Sequence, residues 1–246
     1  MSLFAQLKRE FAAFFYSPIA YVLLTAAAVL NGIVFLLIVD FLSDPRAPQG
    51  AAMQMLFGGT IFFWIIVIVL TPLITMRSIA EERHAGTLET LCTAPINDAQ
   101  IVVAKYLAAV GFYIVLWLPT LAYPLLLAKY SDLDVGPIFS GYLGTLGVGM
   151  MFASIGVLGS SLTRNQIIAA LVSFAAIMLL FVIGIFDFMT GETSSDSLLH
   201  YMNLWTHMED FGRGIVDTRH LVYYGSVTLF SLFSTIQIMQ FRRWRG

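Results

Sequence analysis

The side chains able to do chemistry gather in two stretches. In residues 77–100, Arg77, Glu81, Glu82, Arg83, His84 and Glu89 surround small and apolar residues. Residues 187–220 hold His200, His207, Glu209, Asp210, Asp217 and His220. Imidazoles and carboxylates are common metal ligands, but their spacing here matches no compact ligand motif. The acidic members are therefore read as a solvated surface, and no metal site is expected. Cys92 is the single cysteine, which excludes an intrachain disulfide. There is no GxxxxGK[ST] loop to cradle phosphates.

The scaffold that positions these stretches is set by composition. Of 246 residues, 59% are hydrophobic and only 11% charged, against roughly a quarter charged in soluble domains. Mean hydropathy is +0.83. Such a chain cannot cover its own exterior in water, and lipid must be its main solvent. A net charge of −2 excludes the basic face of a nucleic-acid binder. A bilayer core needs about 20 apolar residues per helical span. Six stretches qualify: Ile19–Val39, Leu56–Met76, Ile101–Ala128, Ile138–Leu162, Ile167–Phe186 and Leu221–Gln240. Only the third carries a charge, Lys105 near its start. The period-2 alternation of a β-barrel is absent. The expected fold is all-α, a polytopic membrane protein whose single membrane domain fills residues 1–246.

An even number of spans puts both termini on one side. With the termini inside, nine basic residues lie inside (Lys8, Arg9, Arg77, Arg83, Lys105, Arg164, Arg242, Arg243, Arg245) and four outside (Arg46, Lys129, Arg213, Arg219). The positive-inside rule then predicts cytoplasmic termini in a cell inner membrane. The first apolar run continues through Val39, beyond the h-region of a secretory signal, and is read as a span. Before it, Phe4, Leu7, Phe11 and Phe14 recur at helical spacing with Lys8, Arg9 and Glu10 between them. Residues 1–18 are thus expected to form an amphipathic helix in the membrane interface, ending at Ser17-Pro18.

Within the spans the main polar groups are Asn31, Thr25, Thr71, Thr75 and Thr120, with Asp40 and Asp187 at outer ends. Ion-coupled carriers keep ionisable groups in the membrane, so their scarcity argues against proton or sodium coupling. The fourth span is rich in glycine (Gly141, Gly144, Gly147, Gly149, Gly156 and Gly159). Those residues allow close helix packing, within the chain or at a dimer axis. Pro72, Pro119 and Pro124 predict bends or hinges. Residues 187–220 are expected to form an outer cap of one or two short helices, with Trp205 at the interface.

In the long inner loop, Gly86 can end one helical piece. Thr87 can cap another, with Glu89 in its first turn, and Pro95 stops it. Leu88, Leu91 and Cys92 share a face, which suits docking to a cytosolic partner.

The run Glu81-Glu82-x-x-x-Gly86-Thr87-Leu88-Glu89-x-Leu91-x-x-x-Pro95-Ile96 resembles the signature of type-2 ABC permeases, the membrane subunits of ATP-binding-cassette transporters. The resemblance extends over the whole chain. It implies that residues 77–100 form a coupling helix seated on a cytosolic ATPase. Glu81, Glu82, Gly86, Thr87, Leu88, Glu89, Leu91 and Pro95 would lie at that interface. It also implies two ATPase copies and a second permease chain, in a homo- or heterodimer. The chain would be no enzyme and bind no cofactor, ATP and Mg being held by the ATPase. His207-Met-Glu209-Asp210-Phe211-Gly-Arg213-Gly214-Ile-Val-Asp217-Thr-Arg219 is similar to the subgroup of gliding-motility and nitrous-oxide-reductase-maturation permeases. That subgroup usually has Ala in place of Gly212 and Asp in place of His220. The expected function is an ATP-driven permease, an exporter by this reading. The alternatives are a non-translocating anchor that drives an extracytoplasmic machine, with the cap touching an outer partner, and an ATP-independent secondary transporter.

Overall fold

Local chemistry sets most helix boundaries. Pro18 stands at the first position of a helix, where its missing N–H costs nothing. Asn97, Asp134 and Asn203 each cap a helix, their side chains accepting from backbone N–H groups of the first turn. The computed structural model describes residues 3–43, 51–86, 97–129, 134–190 and 201–243. In chain order the helices are α1 (Leu3–Tyr16), α2 (Pro18–Leu42), α3 (Ala51–Leu56), α4 (Ile61–Thr75), α5 (Ala80–His84) and α6 (Asp98–Trp117). A 3-10 turn at Leu118–Leu121 leads to α7 (Ala122–Leu127), α8 (Val135–Leu162), α9 (Gln166–Thr190), α10 (Leu204–Gly212) and α11 (Thr218–Arg243). Six runs are long and apolar enough to cross a membrane: Pro18–Leu42, Met53–His84, Asp98–Leu127, Val135–Leu162, Gln166–Gly184 and Thr218–Phe241.

Two spans differ in detail from uninterrupted helices. The second, expected as one helix from Leu56, breaks at 57–60. Gly58 turns the chain at φ +87, and a Cβ there would overlap Met208. The turn is held by the Gly59 N–H donating to the Gln54 carbonyl (2.8 Å) and by the Trp64 indole donating to the Gly58 carbonyl (3.1 Å). The third span tightens into a 3-10 turn over Leu118–Leu121, which contains Pro119.

Burial separates centre from periphery. The second, third and fourth spans are 61%, 67% and 72% buried, while the first, fifth and sixth are 28%, 28% and 22% buried. α8 is the hub, packing on α4, α6, α9, α10 and α11. Its glycines are the reason. A Cβ at Gly149 would overlap the Tyr113 ring, and one at Gly156 would overlap Thr75. Gly144 and Gly147 likewise admit Phe211 and Tyr224. All four partners belong to this chain, so these glycines serve intrachain packing.

α1 does not stand apart from the bundle. Phe14 stacks on Phe112 of α6 at 4.9 Å, and Phe11 fills the recess left by Gly111. Leu7 is half-buried, and only Phe4 of the expected apolar stripe is strongly exposed (73%). The stripe is thus divided between α6 and the outside. α1 and the last turns of α11 lie at the bundle end that carries α5, where Met239 of α11 clusters with Ile79, Ile101, Val102 and Tyr106.

Candidate functional site

At that end, the chain leaving the second span is fastened to several neighbours. The first N–H groups of a helix have no partner inside it, and Ile79 supplies no side-chain cap for α5. The hydroxyl of Ser160, at the end of α8, takes that role. It accepts from the N–H groups of Ile79 and Ala80 (3.0 Å each) and donates to the Met76 carbonyl (3.0 Å). Arg83 donates to the Ser161 carbonyl, a cation placed at the open carbonyl end of α8. Arg77 donates through Nη1 to Ser17 Oγ (2.6 Å) and through Nε to Gln166 Oε1 (3.3 Å), linking the first and fifth spans.

A further neighbour is Lys105, whose side chain is 3% exposed. Its ammonium lies 3.0 Å from Glu10 of α1 and 2.7 Å from Glu82 of α5. A buried ammonium is costly without such partners. One cation thereby joins the N-terminal helix, the loop base and the third span.

The expected loop residues divide as follows. Glu82 turns inward to Lys105, whereas Glu81 is half-exposed and stands 3.7 Å from Arg77. Gly86 ends α5 at φ +70 with no atom within 4 Å of a Cβ, so backbone conformation alone favours glycine there. Thr87, Leu88, Glu89, Leu91 and Pro95 lie outside the described residues, as does Cys92. Sequence reasoning left Glu10, Ser160, Ser161 and Gln166 out of the site. A lone lysine in an apolar span was the available signal, since it demands a carboxylate from segments at the same end.

The opposite end is closed by α10. Asn203 caps it, accepting from Trp205 N–H (3.1 Å) and Thr206 N–H (3.3 Å). Trp205, half-buried, packs against the rings of Trp64 (6.1 Å) and Phe181 (6.5 Å). Phe211 is fully buried, and its carbonyl accepts from Ser140 Oγ (2.6 Å). His207 and His220 are buried and stacked at 3.9 Å, and His220 Nε2 is 3.1 Å from Asp210. Gly214, at φ +91, closes the helix with the Ile215 N–H donating to the Asp210 carbonyl (2.9 Å). Asp217 accepts from the Arg219 N–H (2.8 Å) at the start of α11. Glu209 and Arg213 form an exposed pair of little energetic weight. Among the described residues no group of three metal-ligating side chains converges.

The five amide and hydroxyl side chains singled out within the spans donate inside their own helices. Asn31 donates to the Ala27 carbonyl, Thr25 to Tyr21, Thr71 to Val67, Thr75 to Thr71 and Thr120 to Trp117. They are spoken for by their own helices.

No curated protein matches the sequence. Residues 37–208, well over half of the chain, match the family described as ABC-2 family transporter protein. The match runs from the end of the first span into α10, and takes in the Lys105–Glu82 pair and the anchoring Ser160. This chain therefore belongs to the ABC-2 transporter family and is a multi-pass membrane permease component of an ATP-binding-cassette transporter.

Proposed function

We propose that this chain is the membrane half of an ATP-driven exporter in which residues 77–100 receive the stroke of a cytosolic ATPase. The observation that carries this reading is the fastening of α5. Ser160 and Lys105 tie it to the fourth and third spans and to α1, and Arg77, just before it, reaches Ser17 and Gln166 at the heads of the first and fifth. A push on the loop is then shared by packed helices, which respond as levers between two arrangements. In this reading Leu88 and Leu91 dock in the ATPase, Glu89 pairs with a basic residue there, and Glu82 is a positioning residue acting through Lys105. Two ATPases and two permease chains make the complex. ATP and Mg belong to the ATPase, this chain catalyses nothing, and its termini face the cytoplasm of an inner membrane.

Leu88→Asp with Leu91→Asp should abolish co-purification of the ATPase while leaving membrane insertion intact. Glu82→Gln should leave the ATPase bound but lower cargo movement in sealed vesicles. Unchanged co-purification of the leucine variant would sink the docking assignment.

A second reading is favoured by α10, whose Phe211, His207 and Met208 are buried against the spans. Movement of α8 and α11 would pass directly to this outer cap. The chain would then transmit force to an extracytoplasmic machine, as its likeness to the gliding-motility subgroup suggests. ATPase activity without ATP-dependent cargo movement would select this reading over export.

A further inference from the structure

Beside the Lys105 cluster lies a cavity of about 200 Å³, bounded by α1, the start of α2 and the second span's exit. By the volume that waters occupy, it has room for a few waters or one small headgroup. Its walls differ in kind. Phe14, Ile19, Leu23 and Leu73 supply apolar lining. Glu10, Glu81 and Glu82, with Arg77 and Lys105, supply the charged lining, three carboxylates against two cations. Lys105 is already held by Glu10 and Glu82. Arg77 and Glu81 are not consumed in the same way. Arg77 uses Nε and Nη1 for Gln166 and Ser17, which leaves its Nη2 facing no acceptor among the described residues. Glu81 stands 3.7 Å from Arg77, too far for a hydrogen bond. Its carboxylate, half in solvent, accepts none among the described residues.

From this geometry we infer that the cavity is a binding site for one aminophospholipid, with its phosphate on Arg77 and its primary ammonium on Glu81. Arginine presents N–H donors in a fork suited to phosphate oxygens. A carboxylate beside it supplies the opposite charge that a zwitterionic headgroup requires. The excess of carboxylates in the lining disfavours a purely anionic headgroup. The acyl chains can leave past Ile19, which lines the cavity and is exposed on the weakly buried α2. The lipid would be a resident of the fold, not cargo. This inference needs only the membrane embedding of the chain and is independent of how an ATPase docks.

The test is native mass spectrometry of the full chain, reconstituted with equal amounts of phosphatidylethanolamine and phosphatidylglycerol and then released in mild detergent. The expected result is one phosphatidylethanolamine retained per chain, in clear excess over phosphatidylglycerol. Arg77→Gln should lower retention about tenfold, the scale of one lost charge-assisted hydrogen bond. Glu81→Gln should remove the preference between the two lipids. Ala13→Trp, introduced from the exposed side of α1 to fill the cavity, should abolish retention with the unfolding temperature preserved; it covers the case in which Arg77→Gln fails to fold. No stoichiometric lipid on the wild type, equal retention of phosphatidylglycerol, or retention unchanged in the folded variants would each overturn the assignment. ATPase co-purification is not read in this experiment, so failure of the coupling proposal leaves its outcome distinct.

Discussion

At the scale of single residues, the balance at Lys105 is decided by desolvation. An ammonium 3% exposed would be strongly disfavoured alone, and two carboxylates offset that cost. Lys105→Met removes the shared partner and leaves Glu10 and Glu82 without it. We expect a loss of about 3–5 kcal/mol, typical of breaking a buried pair, read as a lower unfolding midpoint in detergent. Glu82→Gln keeps the Glu10 contact and should cost less, about 1.5–3 kcal/mol for one charge-assisted bond. Equal midpoints for the two variants would show that the cluster is not a shared clamp. Two glycines allow a second comparison. Gly86→Ala meets only the left-handed backbone penalty of about 1–2 kcal/mol. Gly58→Ala adds an overlap with Met208 and should be the more destabilising of the two.

At the scale of elements, α5 is too short to persist by itself, and Ser160 supplies the partner its first turn lacks. Ser160→Ala would leave two N–H groups unmatched, each worth about 1–3 kcal/mol if it stays buried. The expected consequence is faster amide exchange confined to residues 77–86, with the spans unaffected. Protection equal to wild type would mean that α5 is held by other contacts. α8 poses the opposite problem, because its surface is full. Gly149→Leu has to displace Tyr113, and an overpacked core loses about 1–3 kcal/mol or more. The same substitution at Gly225, which has open space around it, should be nearly neutral by thermal unfolding. Such a difference was only half legible in the sequence. The density of glycine was visible, but which glycine faces an aromatic ring depends on helices far away in the chain.

At the scale of the whole molecule, the bundle is closed differently at its two ends. The end bearing α5 is polar and cross-linked through Arg77, Arg83 and Lys105, whereas the other is sealed by α10 and an aromatic cluster. Removal of residues 203–214 would expose Phe57, Trp64 and Phe181, which α10 now covers or adjoins. We expect that deletion to reduce the yield of monodisperse protein sharply, whichever way the cap is used. Recovery of a normally folded chain would mark α10 as a detachable appendage and would favour a role confined to an outer partner.

The sequence by itself determined the all-helical class, the six spans and the family signature. Insertion into lipid is a sum over neighbouring residues, and caps and breakers act within a turn, so both can be read locally. Tertiary structure alone decided which three spans form the centre, that Phe11 and Phe14 pack on α6, that Trp205 packs on Trp64 and Phe181 and that Glu82 faces Lys105. Those outcomes rest on partners distant in sequence: Phe14 with Phe112, Trp205 with Trp64, and Lys105 with both Glu82 and Glu10. A buried charge or an empty glycine face announces that a partner must exist, and only the folded chain supplies which one.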